Sequence, residues 1–172
     1  MRELVPLSLV DPAEVDALLD AAFGADRHAR TAYRLREGVS AIPRLSLAAL
    51  DDDTLVGSIQ CWPVELRGDD GEDTPMILVG PIAVSPAHQD VGIGRALTRK
   101  VIADAPLLGS QGGEALMLIG DADYYGRFFG FAADRTREWR LPGPFERERL
   151  LALGDAVPAR AGLVAPRKSV TD

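Results

Sequence analysis

Val15, Leu18, Leu19, Ala22 and Phe23 recur at spacings of three and four residues and predict an amphipathic helix. Asp11 is placed to cap its start, Pro12 suits the first helical position, and Gly24 suits the stop. Residues 2–9 alternate weakly and predict a short first strand. Residues 26–37 are charged, with Ala29, Ala32, Tyr33 and Leu35 interspersed, and predict a second, exposed helix ending near Gly38. Arg44–Leu50 and Thr54–Leu66 read as two strands joined by a turn at Asp51-Asp52-Asp53. A polar loop over 67–75 follows, then a nearly continuous apolar strand, Met76–Val84. Such a run suits burial on both faces, and Gly80-Pro81 inside it predicts a bulge or local splay.

Ser85–Gln89 reads as a turn. From Gly92 the pattern becomes helical, with Ile93, Leu97 and Val101 stacked at four-residue intervals until Pro106 ends or kinks the helix. Leu107–Gly113 is a loop, Glu114–Ile119 a buried strand and Asp121–Phe129 a short helix. Phe131 opens a late strand region, and Leu150–Leu153 is a candidate final strand. Residues 155–172 lack periodicity and read as a loose tail or an edge strand. Short turns make the early central strands antiparallel. The helical connection from 76–84 to 114–119 makes that pair parallel. The expected class is α/β: a mixed, mainly antiparallel central sheet with a parallel, splayed strand pair and helices on both faces.

The chain has 172 residues, 47% of them hydrophobic, which suits a single domain over 1–172 with a sizeable core. No apolar run approaches the ~20 residues that span a bilayer. Met1–Pro6 lacks a signal-like apolar stretch, so a cytoplasmic location is expected. Cys61 is the only cysteine; Ile59 and Trp62 beside it suggest a buried structural thiol. His28 and His88 stand apart in sequence, and no Cys/His cluster has metal-ligand spacing, so no metal is expected. A formal net charge of −7 disfavours nucleic acid and anionic membrane as partners and mildly favours a cationic substrate.

The segment that carries chemistry is Leu78-Val79-Gly80-Pro81-Ile82-Ala83-Val84 followed by Ser85-Pro86-Ala87-His88-Gln89-Asp90-Val91-Gly92-Ile93-Gly94-Arg95. A buried strand runs through a tight turn into a helix start. The first N–H groups of such a helix lack partners within it and carry the positive end of its dipole. A pyrophosphate fits there without a lysine. Gly92 and Gly94 leave the backbone approachable, and Arg95 can add a charge-assisted contact. Two familiar nucleotide motifs fail: Leu97 stands where the dinucleotide fingerprint needs its third glycine, and Arg95-Ala96 follows Gly94 where a phosphate loop needs Lys-Ser/Thr.

Gln89-Asp90-Val91-Gly92-Ile93-Gly94 is similar to the Arg/Gln-x-x-Gly-x-Gly/Ala signature of the GNAT superfamily of acetyl-CoA-dependent N-acetyltransferases. Gly80-Pro81-Ile82-Ala83-Val84-Ser85-Pro86 resembles that family's central strand and exit turn. Gly120-Asp121-Ala122-Asp123-Tyr124-Tyr125-Gly126-Arg127-Phe128-Phe129-Gly130-Phe131 resembles its tyrosine-bearing helix. Together these resemble a predicted-acetyltransferase branch, with the matched core at about residues 53–132. One departure stands out: the usual ending has a single phenylalanine where this chain has Phe128-Phe129, which leaves both Tyr124 and Tyr125 eligible.

The resemblance implies a GNAT fold and acetyl-CoA as the acyl donor, with no metal. Its pantetheine arm would pair with the backbone of Ile82, Ala83 and Val84, and an N–H near Ile82 or Ala83 would stabilise the oxyanion. Its pyrophosphate would sit at the phosphate-binding turn formed by Gln89, Asp90, Val91, Gly92, Ile93, Gly94 and Arg95. The acetyl group would pass directly to an amine of a small molecule or protein. Tyr125, with Tyr124 in reserve, would protonate the departing thiolate. Glu37, Glu65, Asp121 and Asp123 lie on or near matched elements, but none is singled out as the base, and a water chain serves equally. A non-catalytic CoA-binding module with the same fold, or an enzyme using another acyl-CoA or acyl-carrier donor, are the alternatives. Pairing of edge strands leaves a homodimer open. The acceptor depends on residues 23–45 and the late strands, which carry no recognisable acceptor motif.

Overall fold

Asp11 starts the first helix as its position suggests. Its side chain accepts from the Ala13 N–H at 3.0 Å, and helix α1 runs Pro12–Phe23. The computed structural model describes residues 2–168, with the side chains of Asp90 and Val91 outside that description. Helices α2 (Thr31–Arg34), α3 (Ile93–Asp104) and α4 (Ala122–Phe129) follow. The strands are β1 (Arg2–Pro6), β2 (Leu47–Asp51), β3 (Thr54–Gly68), β4 (Asp73–Val84), β5 (Leu116–Ile119), β6 (Trp139–Arg140), β7 (Leu150–Leu153) and β8 (Gly162–Pro166). Their order is β1-β2-β3-β4-β5-β7, with β8 pairing β3 and β6. The β4–β5 pair is parallel and the β1–β2, β2–β3, β3–β8 and β5–β7 pairs are antiparallel, so the mixed sheet expected from the connections is the one observed.

The chain divides into two units. The first comprises residues 1–29, 41–61 and 80–104, and the second 30–40, 62–79 and 105–172. In the first, β2 and β3 form a hairpin whose turn residues Asp52 (φ 48) and Asp53 (φ 71) are left-handed. That conformation matches the strand twist, and aspartate tolerates it. Val15, Leu18 and Leu19 of α1 bury against Ala83, with Leu7, Val10, Ala22, Phe23 and Leu55 packed around them. The predicted stripe of α1 is therefore its buried face. Cys61 is fully buried, as its neighbours suggested. Burial pushes its thiol pKa up, partly offset by a hydrogen bond with the Gly80 backbone, which leaves the thiol inert at neutral pH.

In the second unit the core gathers Val64 and Leu66 of β3, Met76 and Leu78 of β4, Met117 of β5, Leu150 and Ala152 of β7 and Val164 of β8. Trp139 is wholly buried among them, and its Nε1–H donates to the Pro158 carbonyl at 3.1 Å, which satisfies the indole. Arg167 is buried too; its guanidinium donates to the carbonyls of Val64 (3.0 Å), Met76 (3.3 Å) and Gln111 (2.8 Å). Desolvation lowers its pKa, and Glu65 opposes that shift. Of the two readings of residues 155–172, a strand is found over Gly162–Pro166. It is paired on both sides rather than at an edge, and residues 169–172 lie outside the description.

Several element boundaries differ from the sequence expectation. The first strand ends at Pro6 and gives way to a 3-10 turn over Leu7–Leu9. Residues 26–37 do not form one exposed helix: a 3-10 turn covers Arg27–Ala29 and α2 has four residues. Arg27 is buried and its Nε donates to Asp20 at 2.9 Å, a long-range pairing that outweighs local helix propensity. Thr31 is buried as well, and its hydroxyl donates to the Pro144 carbonyl. The strand expected from Arg44 begins at Leu47, because Pro43–Leu45 closes a 3-10 turn. The loop over 67–75 contracts to residues 69–72, since Gly68 N–H bonds Glu72 O at 2.9 Å and extends the ladder. No strand starts at Phe131 among the described residues; that region contributes a single bridge, Ala132 to Ala152.

Candidate functional site

Strand β4 changes character along its length. Ile77 and Leu78 pair in parallel with Leu116 and Met117. Gly80 then takes φ +127 and is followed by a cis bond to Pro81. Beyond it, the Ser85 N–H bonds the Val56 carbonyl of β3 at 2.8 Å. Peptide groups alternate in direction along a strand. Those of Ala83 therefore face β3 with those of Ser85, and those of Ile82 and Val84 face the opposite edge.

The chain leaves β4 through a 3-10 turn, Pro86–Val91, and reaches Gly92 at φ 80, ψ 16. This left-handed conformation ends the turn and aims the next residues into α3, and it is the reason for glycine there. At the start of the new helix the Ala96 N–H bonds Gly92 O at 3.0 Å. The N–H groups ahead of it lie at the positive end of the α3 dipole. The Arg95 guanidinium reaches back over Gly92: Nη2 lies 3.5 Å from where a Cβ would stand. Gly94 packs beside Val84 and Ile82, whose methyl groups lie 3.5 and 3.9 Å from its own Cβ position.

All of the expected cofactor residues thus fall within the first unit. Ile82, Val84, Gly92, Gly94 and Arg95 are half-buried, Gln89 is exposed, and Ala83 and Ile93 are buried. Ile93 fills the space that a side chain on Gly57 would need, so its side chain belongs to the core and only its backbone faces the turn. The side chains of Asp90 and Val91 lie outside the described residues. This is a cradle of backbone amides with one guanidinium above it, the donor set that suits a diphosphate.

The tyrosines belong to the second unit. Asp121 caps α4, accepting from Asp123 N–H at 2.9 Å and Tyr124 N–H at 3.4 Å. Gly130 closes the helix with a left-handed cap, its N–H on Gly126 O at 3.0 Å. Phe128 and Phe129 are both accommodated before that cap. The Tyr124 and Tyr125 rings meet edge to face at 4.9 Å, and Tyr125 also packs on Phe129 and Phe131. Gly120 lies so close behind Tyr125 that a Cβ there would stand 2.6 Å from the ring. Burial pushes the Tyr125 pKa up to about 12; Tyr124 and Asp121 add to the shift and Arg149 opposes it. The phenol therefore keeps its proton at neutral pH. Among the carboxylates considered, Glu65 pairs with Arg67 at 3.0 Å and Asp121 serves as the cap, whereas Glu37 and Asp123 are exposed.

The profile of the Acetyltransferase (GNAT) family matches residues 13–131. The chain belongs to that family. It is 32% identical over 141 residues to the uncharacterized N-acetyltransferase YjhQ of Escherichia coli K12, covering 80% of this chain and 75% of that protein. The crystal structure of the GNAT family N-acetyltransferase YhbS from Escherichia coli, in complex with CoA, superposes with a TM-score of 0.72 at 25% identity, covering 98% of this chain and 89% of YhbS. A GNAT family acetyltransferase from Brucella melitensis in complex with acetyl-CoA gives 0.66 at 25% identity, with 97% and 96% covered. The chain is thus a GNAT acyltransferase acting on an amine acceptor, with the fold that the sequence motifs implied. Among the described residues no group of three His, Cys, Asp or Glu side chains is arranged to hold a metal ion, and no helix is long and apolar enough to cross a membrane.

Sequence reasoning missed one cluster. The Arg36 guanidinium carbon lies 3.7 Å from the Tyr33 ring centre and 4.4 Å from that of Trp62. The i, i+3 spacing of Tyr33 and Arg36 was a visible signal; nothing in the sequence linked them to Trp62.

Proposed function

We propose that this enzyme binds acetyl-CoA through the backbone of its first unit and uses Tyr125, with Tyr124 as the alternative, as the proton donor. The observation that carries the reading is the turn at Gly92, where a left-handed backbone leads into the N-terminus of α3 and the Arg95 guanidinium lies over the turn. The amides of Gly92, Ile93, Gly94 and Arg95, with that guanidinium, hold the pyrophosphate, and Gln89, Asp90 and Val91 form the approach to it. The outward peptide groups of Ile82 and Val84 pair with the pantetheine arm as a neighbouring strand would, Ala83 keeping its own groups on β3. Of the two candidate oxyanion donors, alternation favours the Ile82 N–H. Bound acetyl-CoA supplies the acetyl group and leaves as the free thiol.

The Tyr125 phenol stays protonated across the working range because its surroundings disfavour the anion. It gives that proton to the departing thiolate, forming the thiol, and the phenolate, being disfavoured there, takes a proton back from solvent. An acceptor amine with a pKa of about 10 must shed a proton before attack, and solvent or a water chain takes it. The presence of CoA in YhbS and of acetyl-CoA in the Brucella protein supports the donor assignment.

The test is calorimetric titration with acetyl-CoA together with thiol release across a panel of amines. One-to-one binding with amine-dependent thiol release is expected. Binding without turnover on any amine would favour the CoA-binding module, and tighter binding of a longer acyl-CoA would shift the donor.

A further inference from the structure

Tyr125 has a charged neighbour across the β5–β7 ladder, and both residues belong to the second unit. We propose that Arg149 is a positioning residue for acetyl transfer: its guanidinium faces the Tyr125 phenol and stabilises the phenolate that forms when Tyr125 gives up its proton. The inference rests on the proton-donor reading of Tyr125 and adds the group that makes that donor competent.

Strand pairing places the two side chains. Ile119 of β5 stands opposite Leu150 of β7, and one step further the Gly120 N–H bonds the Arg149 carbonyl at 2.8 Å. The Arg149 N–H is held in turn on the Glu146 carbonyl at 3.0 Å, so its backbone is tied on both sides. Residues directly opposite in an antiparallel pair point to the same face, with Cβ positions about 4.5–5.5 Å apart. Gly120 marks that face: a Cβ there would stand 2.6 Å from Tyr125 Cε2 and 3.1 Å from Leu118 Cδ1. Arg149 therefore leaves the sheet on the side where the Tyr125 ring lies.

Electrostatics gives the placement its consequence. Arg149 is exposed, and among the described residues its side chain makes no hydrogen bond and no ion pair. The Tyr125 ring packs on Tyr124, Phe129 and Phe131, none of which carries a charge at neutral pH. The titratable groups that act on its hydroxyl are Tyr124 and the cap Asp121 from its own helix, and Arg149 from the turn before β7. Of the three, only Arg149 favours the phenolate. Proton transfer to the thiolate moves one negative charge from sulfur to the phenol oxygen. A cation already fixed beside that oxygen lowers the cost of the step.

The test replaces Tyr125 with 3,5-difluorotyrosine, whose more acidic phenol titrates where the protein stays folded, and follows its fluorine NMR signal in the full-length protein. R149Q should raise the pKa of that phenol by about 0.5 to 1 and R149E by more, while R149K, which keeps the charge, should leave it within about 0.3. The R149Q shift should shrink at high salt, because the guanidinium is exposed. With the natural tyrosine, R149Q should lower kcat by about 3- to 10-fold, with acetyl-CoA affinity unchanged by calorimetry and most of the rate kept by R149K. In a Tyr125→Phe background R149Q should cost nothing further. A fluorine titration that ignores the charge at position 149, an R149K as slow as R149Q, or an equal R149Q loss in the Tyr125→Phe background overturns the proposal. A charge-dependent titration with full activity of Tyr125→Phe means that the proton-donor reading has failed and not the coupling; a charge-independent titration with an impaired Tyr125→Phe means the reverse.

Discussion

The two units differ in the groups that their candidate sites present. The first presents backbone: the outward peptide groups of Ile82 and Val84 and the amides after Gly92, with Arg95 the main side chain over the turn. The second presents side chains: the Tyr124–Tyr125 pair. A backbone cradle depends on conformation more than on side chains, and the left-handed Gly92 sets that conformation here. A side-chain site depends on which residues meet in space, and each ring or hydroxyl there has its own effect. Cofactor capture should therefore be broken by adding atoms at one glycine, and turnover by removing single atoms in the other unit.

The largest effect is expected from Gly92→Glu. It places a side chain at a left-handed residue and a negative charge at the anion cradle, and should weaken acetyl-CoA by about 1,000-fold or more by calorimetry. Retained affinity would show that the diphosphate binds elsewhere. Next comes Tyr125→Phe, which should lower kcat by about 100-fold while leaving acetyl-CoA affinity within a small factor. Because the wild-type phenol titrates only near 12, its deprotonation should produce no alkaline fall in kcat below about pH 11. A wild-type alkaline limb that disappears in Tyr125→Phe would contradict the assigned ionisation, and full activity of that variant would pass the role to Tyr124. Gly120→Ala sharpens the same point without touching the hydroxyl. Its methyl would collide with the Tyr125 ring, so kcat should drop by about tenfold, at the low end of what a misplaced acid costs, with cofactor affinity intact.

The smallest effect concerns stability in the second unit. Asp69 meets Arg140 in a two-pronged pair at 2.7 and 2.9 Å, and this hydrogen bonding holds its carboxyl pKa below the usual aspartate value. The stabilisation is present above the unfolded-state pKa and is lost as pH falls through the lower folded value. Asp69→Asn should therefore melt slightly below wild type at neutral pH, with the two curves converging in strong acid. Both partners lie at the surface, so the shift is small and shrinks with salt. A difference that persisted in strong acid would mean the carboxylate charge is not its source.

The elements best read from the sequence were those whose cause is local. Asp11-Pro12 started α1, Asp52-Asp53 turned the β2–β3 hairpin, and Asp121 capped α4, because each satisfies backbone groups a few residues away. The glycine spacing at Gly92 and Gly94 was legible for the same reason, since it reports what the backbone must do at those positions. Residues 26–37 were misread because their conformation answers to distant partners: Asp20 for Arg27 and the carbonyls of Pro142 and Pro144 for Arg34 and Thr31.

By itself, then, the sequence determined the order and type of the main elements, the glycine turn with its cofactor class, and the tyrosine-bearing helix. Hydrophobic period, caps and turn residues act over one to five positions and leave their mark in the string of letters. Only the tertiary structure decided which peptide groups of β4 face away from β3, that Tyr125 rests on Gly120 with its proton retained, and that Arg36 meets two rings. Those outcomes depend on strand pairing, burial and chain segments far apart in sequence, whose energies exist only after the chain has folded.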